Sequence, residues 1–236
     1  MRRVLRALST VLIVAGLLLI ADAAVTLAWQ EPVSAVMARI QQDKLSDKLD
    51  QIEQQAPTPL QRRALARLGT DRRKVAFLAR VARRNAQEGE PFGRLRIPQI
   101  GADDVVVNGT ASDDLRKGPG HYPDTTFPGL GGTVAIAGHR TTYGAPFRKV
   151  DELSAGDEIV LEMPYARFTY AVQRTQIVEP TATWVTRDVG YERLVLSACH
   201  PLYSAAQRII VFAKLRSVHG RGAAASTPSH DGAASS

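Results

Sequence analysis

The sequence predicts an all-β head, a closed or nearly closed barrel, carried behind an N-terminal transmembrane helix and a helical, basic segment. Three observations predict it. An apolar run of bilayer-spanning length opens the chain. Two stretches with apolar residues at roughly helical spacing follow it. From about residue 91 the pattern changes to seven or more short strands, closely spaced with turns between them, which is how a barrel reads in sequence. The 236 residues leave room for one domain with a sizeable core plus extensions. The expected divisions are 1–29 for the cytoplasmic N-terminus and anchor, 30–90 for the spacer, 91–216 for the barrel and 217–236 for a disordered tail.

Met1 to Arg6 is basic, and an apolar run continues from Ala7 to Trp29, densest between Val11 and Ile20. The arginines argue for a cytoplasmic N-terminus and Trp29 suits the far interface. Asp22 falls near the outer end, where a charge costs less. Ala21-Asp22-Ala23 has the small-x-small pattern of a signal-peptidase site, so a cleaved leader is the rival to an uncleaved anchor, which the length favours. Either way the remainder is delivered outside the cytoplasm.

Glu31 to Gln55 carries Val33, Met37, Ile40, Leu45, Leu49 and Ile52 at helical spacing, and Ala56-Pro57-Thr58-Pro59 ends it. A second helix is expected from about Leu60 to Ala86, with a kink or break at Gly69 and Asp71. It bears nine basic residues between Arg62 and Arg84; a solvated face accounts for such a run more simply than a dedicated anion site. The net charge of +7 and pI near 9.8 permit anionic lipid or wall polymers as neighbours, but no aromatic-interleaved basic patch or nucleic-acid module is present, so nucleic acid is not an expected partner.

Strands are expected around Arg94–Pro98, Val105–Gly109, Thr133–Ala137, Glu158–Glu162, Phe168–Val172, Leu194–Cys199 and Arg208–Phe212. Lys117 to Gly132, dense in glycine and proline, reads as loop. The tail from Ser217 is Gly, Ala and Ser with little apolar content.

The chemistry-bearing residues sit at strand ends. Cys199, the single cysteine, closes an apolar run at Pro201, and Arg208 opens the next run nine residues on. Most free cysteines are small buried hydrophobes. An exported chain with an unpaired thiol, however, must bury that thiol or use it. Of the five histidines, His219 and His230 fall in or beside the tail, His121 lies in the Gly/Pro loop, His200 follows the cysteine, and His139 ends a strand after Gly138. His139 is the candidate acid–base group. His121, His139, His200 and Cys199 lack metal-ligand spacing, so no metal or other cofactor is expected. Asp103-Asp104 and Asp113-Asp114 read as solvated turns.

Ala137-Gly138-His139-Arg140-Thr141-Thr142-Tyr143-Gly144-Ala145-Pro146-Phe147, then Ser197-Ala198-Cys199-His200-Pro201, then Arg208-Ile209-Ile210-Val211, closely resemble the sortases, membrane-anchored cysteine transpeptidases of Gram-positive bacteria. With Gly118-Pro119-Gly120-His121-Tyr122-Pro123 upstream, the wording looks like the actinobacterial class E branch. The resemblance spans about Pro91 to Leu215. It implies an eight-stranded barrel with Cys199 as nucleophile, His139 as acid–base residue and Arg208 as the cation holding substrate or oxyanion. It also implies cleavage of a C-terminal sorting motif, LAxTG or LPxTG in kind, between Thr and Gly. The partners so implied are secreted proteins bearing that motif and a lipid-linked peptidoglycan-precursor amine. Tyr122, Thr141 and Tyr143 are the candidate substrate-contacting residues. The family usually has threonine before the cysteine; here it is Ala198, so the hydroxyl expected beside the thiol is missing. A pilus-assembling sortase with a lysine acceptor, a catalytically silent scaffold barrel and a plain cysteine protease are the alternatives.

Overall fold

The computed structural model describes residues 2–28 and 32–225. The first helix, α1 (Arg2–Ala28), contains the window Val4–Asp22, which is apolar and long enough to cross a bilayer and has none of its surface buried in the protein.

Helix α2 (Pro32–Gln54) buries Ala38, Leu45 and Leu49 along one stripe, at the spacing the 3.6-residue period requires. Leu45 and Leu49 pack on Val105 and Val107 of the barrel wall. The side chain of Gln42 pairs with the Val105 backbone like an extra ladder rung, accepting from its N–H at 2.7 Å and donating to its carbonyl at 2.9 Å. Arg221 grips the far end of α2 with two hydrogen bonds to the Glu53 carboxylate, at 3.1 and 3.0 Å. The helix therefore lies along the barrel from end to end.

The expected second helix is two. Helix α3 (Pro59–Ala66) opens on a capping box: Thr58 accepts from the Gln61 amide at 3.2 Å while the Gln61 side chain accepts from the Thr58 amide at 2.9 Å, with Pro59 at the first helical position. Helix α4 (Asp71–Asn85) starts at its own cap, Thr70, so the break falls where Gly69 and Asp71 predict it. Val75 and Ala79 are buried against the barrel, and the arginines take the other faces.

The barrel comprises β1 (Pro91–Ile97), β2 (Ala102–Asn108), β3 (Gly120–His121), β4 (Thr133–Gly138), β5 (Glu158–Met163), β6 (Ala166–Val178), β7 (Arg193–His200) and β8 (Gln207–Gly220). It closes in the order β1-β2-β3-β4-β7-β8-β6-β5. The β2–β3 and β4–β7 pairs are parallel and the rest antiparallel. Alternate residues of each strand fill the interior, among them Leu95, Val134, Ile136, Phe168, Leu194, Leu196, Ile209 and Val211. The intervening residues Ala135, Val195, Ile210 and Phe212 form a smaller apolar patch on the outer face, covered in part by Val185.

Two readings of the sequence are corrected. The Gly/Pro loop contains β3, and His121 on it is fully buried. Two residues are too few to show a period, so nothing in the pattern marks this strand. The tail does not begin at Ser217: β8 runs on to Gly220, its last residues pairing with Ala166–Thr169 of β6, so His219 belongs to the sheet. The exposed small and polar residues there look like tail because only one face of that extension meets apolar neighbours. Residues 226–236, with His230, lie outside the described residues.

Candidate active site

Three adjacent strands, β4, β7 and β8, carry the expected residues to one end of the barrel. Gly138, the last residue of β4, pairs with Ala198 in the parallel ladder, so His139 and Cys199 are the next residues on neighbouring chains. Cys199 in turn pairs directly with Arg208 in the antiparallel ladder, which puts their side chains on the same face. That face is the outer one, because Val195, four residues before Cys199, and Ile210, two residues after Arg208, belong to the outer patch. Register alone thus starts the Cys199 and Arg208 side chains from directly opposite positions on one face.

Cys199 is a free thiol, partly accessible. Arg208 Nη1 donates to the carbonyls of Ala205 and Gln207, both at 2.9 Å, which holds the fork on the β7–β8 loop. Its other nitrogens make no hydrogen bond among the described residues. Burial pushes the His139 imidazole below its ordinary pKa, since desolvation penalises the charged form. No carboxylate bonds to it among the described residues. The His139 ring instead lies against Tyr143, with 5.2 Å between centroids.

Why the chain turns so sharply here is visible in the contacts. Gly138 has no room for a side chain: a Cβ would lie 2.5 Å from the Phe147 ring, which is fully buried. The Phe147 amide donates to the His139 carbonyl at 3.0 Å. Tyr143 and Ala145 adopt positive φ, at 51° and 45°, so the loop folds back on its own strand end.

Sequence reasoning missed the residue that joins the two strand ends. Arg140 is 2% exposed and follows His139. Its Nη2 pairs with Asp151 at 2.6 Å and donates to the Arg148 carbonyl at 3.1 Å. Its Nη1 lies 3.3 Å from Nδ1 of His200, the residue after Cys199. A guanidinium only donates, so Nδ1 of His200 accepts. A buried arginine cannot be told from an exposed one by its neighbours in sequence; the GHR wording was the only sign.

Of the substrate-contacting candidates, Tyr122 packs against the outer patch of Ala135, Val195 and Ile210, on the face that leads to Cys199. Tyr143 is beside His139 and its amide meets Ser34 Oγ of α2 at 3.4 Å. Thr141 is half-buried in the same loop. His121 is structural: its ring stacks on Phe92 at 4.0 Å, and Nδ1 lies 3.0 Å from Asn108 Oδ1. Burial lowers its pKa to about 4.

Ala198 also takes a place the sequence reading did not give it. It is 3% exposed and its side chain joins the interior cluster, on the opposite face from the thiol. Ser197, buried at 8% exposure, shares the thiol's face. The missing threonine hydroxyl is therefore absent from the interior side of β7, not from beside the sulfur.

A closed mixed barrel in the order β1-β2-β3-β4-β7-β8-β6-β5 is a known architecture. Residues 95–216, just over half of the chain, match the Sortase domain family, and the protein belongs to the sortases. It is 38% identical over 132 residues to Sortase D of Bacillus subtilis (strain 168), covering 54% of this chain and 65% of that protein. To Sortase SrtE1 of Streptomyces coelicolor it is 28% identical over 149 residues, covering 55% of this chain and 41% of that one. The chain thus spans less than two thirds of the length of either curated relative. The structure of sortase E from Streptomyces avermitilis superposes with a TM-score of 0.52 at 36% identity, covering 57% of this chain and 93% of that one. Kinship to the actinobacterial class E branch agrees with the quoted motifs. Among the described residues one N-terminal helix is long and apolar enough to span a membrane, and the extracytoplasmic barrel follows it.

Proposed function

We propose that the protein is a membrane-anchored transpeptidase that cleaves a C-terminal sorting motif between Thr and Gly and passes the new carboxyl end to an amine of a lipid-linked cell-wall precursor. The observation that carries this reading is the register: Cys199 opposite Arg208, and His139 next after the rung Gly138–Ala198.

The chemistry follows from the groups. The neutral imidazole favoured at His139 takes the Cys199 proton, and the thiolate attacks the threonine carbonyl. The developing oxyanion lies beside Arg208, whose charge is permanent. His139 returns its proton to the departing glycine amine and leaves a thioester on Cys199. The incoming amine attacks that thioester, gives a proton to His139, and the thiolate departs. One imidazole thus serves both halves of the exchange. The apolar outer patch under Tyr122 supplies a floor for the motif's leucine and the residue after it, alanine or proline. The barrel from about residue 91 carries all of these groups, so the segment before it serves anchoring and support.

A silent scaffold rests on Ala198 and the basic spacer; the Ala198 part of that motive falls away, because its side chain packs into the interior.

The test is turnover of LAxTG and LPxTG peptides with and without added amine, with mass spectrometry of the trapped thioester. Wild type is expected to form the thioester and to yield amide product in proportion to amine. Cys199→Ala is expected to abolish both. His139→Ala and Arg208→Ala are each expected to lose about 10²–10³-fold, the range seen when one stabilising donor is removed. Product unchanged by amine would make the enzyme a hydrolase; turnover in the Cys199 variant would end the reading.

A further inference from the structure

The barrel end that bears Cys199 is also the end where α2 begins, and only three residues separate the end of α1 from the start of α2. Ser34 Oγ lies 3.4 Å from the Tyr143 amide, and a Cβ at Gly144 would be in ordinary contact with Ala38. Four extended steps and two helical ones connect Ala28 to Ser34, a reach of at most about 17 Å. From Ser34, α2 leads away for about 28 Å to Glu53, held at the opposite end of the barrel by Arg221. The catalytic end is thus tethered close to the membrane anchor and the other end is not.

The exposed surface of α2 changes character along this course. Its first exposed residues are apolar: Val36 at 60%, Met37 at 55% and Ile40 at 44% exposure, with Arg39 beside them. From Asp43 on, the exposed positions are Asp43, Lys44, Asp47, Lys48, Asp50, Gln51 and Gln54. The β7–β8 loop adds Leu202 at 37% and Tyr203 at 59% exposure at the same end. Tyr203 is joined to the His139 loop through Arg148, whose Nη2 donates to its hydroxyl at 3.3 Å. Along α2 the exposed apolar side chains, with a cation beside them, occur only in the tethered turns, and have the composition of an interfacial helix, which seats apolar residues at the headgroup boundary and places basic residues against anionic lipid.

We propose that the first turns of α2, together with Leu202 and Tyr203, rest on the outer surface of the bilayer that holds α1. The opening at Cys199 is then kept at headgroup level, where lipid-tethered reactants are presented. The contact is a property of the tether and the exposed side chains and holds whatever reaction the site performs.

Labelled full-length protein in vesicles tests it. In a Cys199→Ser background, Met37→Cys, Ile40→Cys and Leu202→Cys each take an environment-sensitive fluorophore, and Arg167→Cys, on an exposed site at the other end, serves as control. All four positions are at the surface, and three independent labels keep one misfolded variant from deciding the result. In phosphatidylcholine–phosphatidylglycerol vesicles, labels at 37, 40 and 202 are expected to shift to the blue. They should also be quenched by shallow nitroxide lipids severalfold more strongly than the label at 167. Equal quenching at all four positions overturns the proposal. So does a blue shift that nitroxide lipids do not quench, which would mean that a second copy of the chain covers this face.

Discussion

Gly138→Ala isolates the contact that shapes the histidine turn. The added methyl would sit 2.5 Å from Phe147 Cδ2 and 2.8 Å from Cγ and Cε2. Carbon pairs rest at about 3.5–4.0 Å, so ring or strand must give by about 1 Å. The ring is 0% exposed and belongs to the interior cluster, where overpacking costs about 1–3 kcal/mol. Loss of unfolded-state freedom on replacing glycine offsets about 0.4–1 kcal/mol of this. A net destabilisation of about 1–2 kcal/mol is expected in urea unfolding of the head. Because Phe147 is bonded to the His139 carbonyl, the displacement is passed to the imidazole. A misplacement of about 1 Å at a reacting group can cost about 10²-fold. Turnover of a sorting peptide should therefore fall by about 10–100-fold per folded molecule. Phe147→Val removes the offending ring, so the double variant should recover part of both losses, with a coupling of about 1 kcal/mol or more in the cycle. Wild-type stability and turnover in Gly138→Ala, or strict additivity with Phe147→Val, would refute the argument.

His121, neutral in the fold with a pKa of about 4 against 6.5 free, contributes stability that is fully present above pH 6.5 and is lost as pH falls toward 4. The shift corresponds to about 3 kcal/mol, so the change in unfolding free energy between those pH values should shrink by that amount in His121→Gln; an unchanged pH dependence would rule out a neutral buried ring. Glu192 accepts from the Gly129 and Gly131 amides at 3.0 and 3.2 Å and from the buried Tyr170 hydroxyl at 3.1 Å. Glu192→Leu should cost about 2–4 kcal/mol in chemical denaturation, mostly from the stranded hydroxyl, while turnover per folded molecule is retained.

How much of this was legible depended on how far apart the causes lie. The strand ends at Gly138–His139 and Cys199–Pro201 were legible because apolar runs stop there at residues with their own backbone rules. The split at Gly69 was legible for the same reason. The convergence of Cys199, His139 and Arg208 needed the family's wording, since no local pattern announces that β4 pairs with β7. Residues whose role is set by distant partners stayed hidden. His121 is an ordinary loop histidine until Phe92 and Asn108 are folded against it. Arg140 is one basic residue among 30 until Asp151, Arg148 and His200 surround it. Ala198 misled because a motif is read along the chain while a strand sends successive side chains to opposite sides. The exposed positions of α2 resemble any solvated helix until its starting point beside the membrane is taken into account.

The parallel rungs from Thr133–Arg193 to Gly138–Ala198 join segments about sixty positions apart, with β5 and β6 threaded between them in sequence. Such a pairing closes late, after the intervening loop entropy has been overcome. An exported chain crosses the membrane before it can make that pairing. During translocation Cys199 lies apart from His139 and Arg208 in an unpaired chain. Under the proposed function, reactivity would therefore arise only on the far side, as the last consequence of maturation.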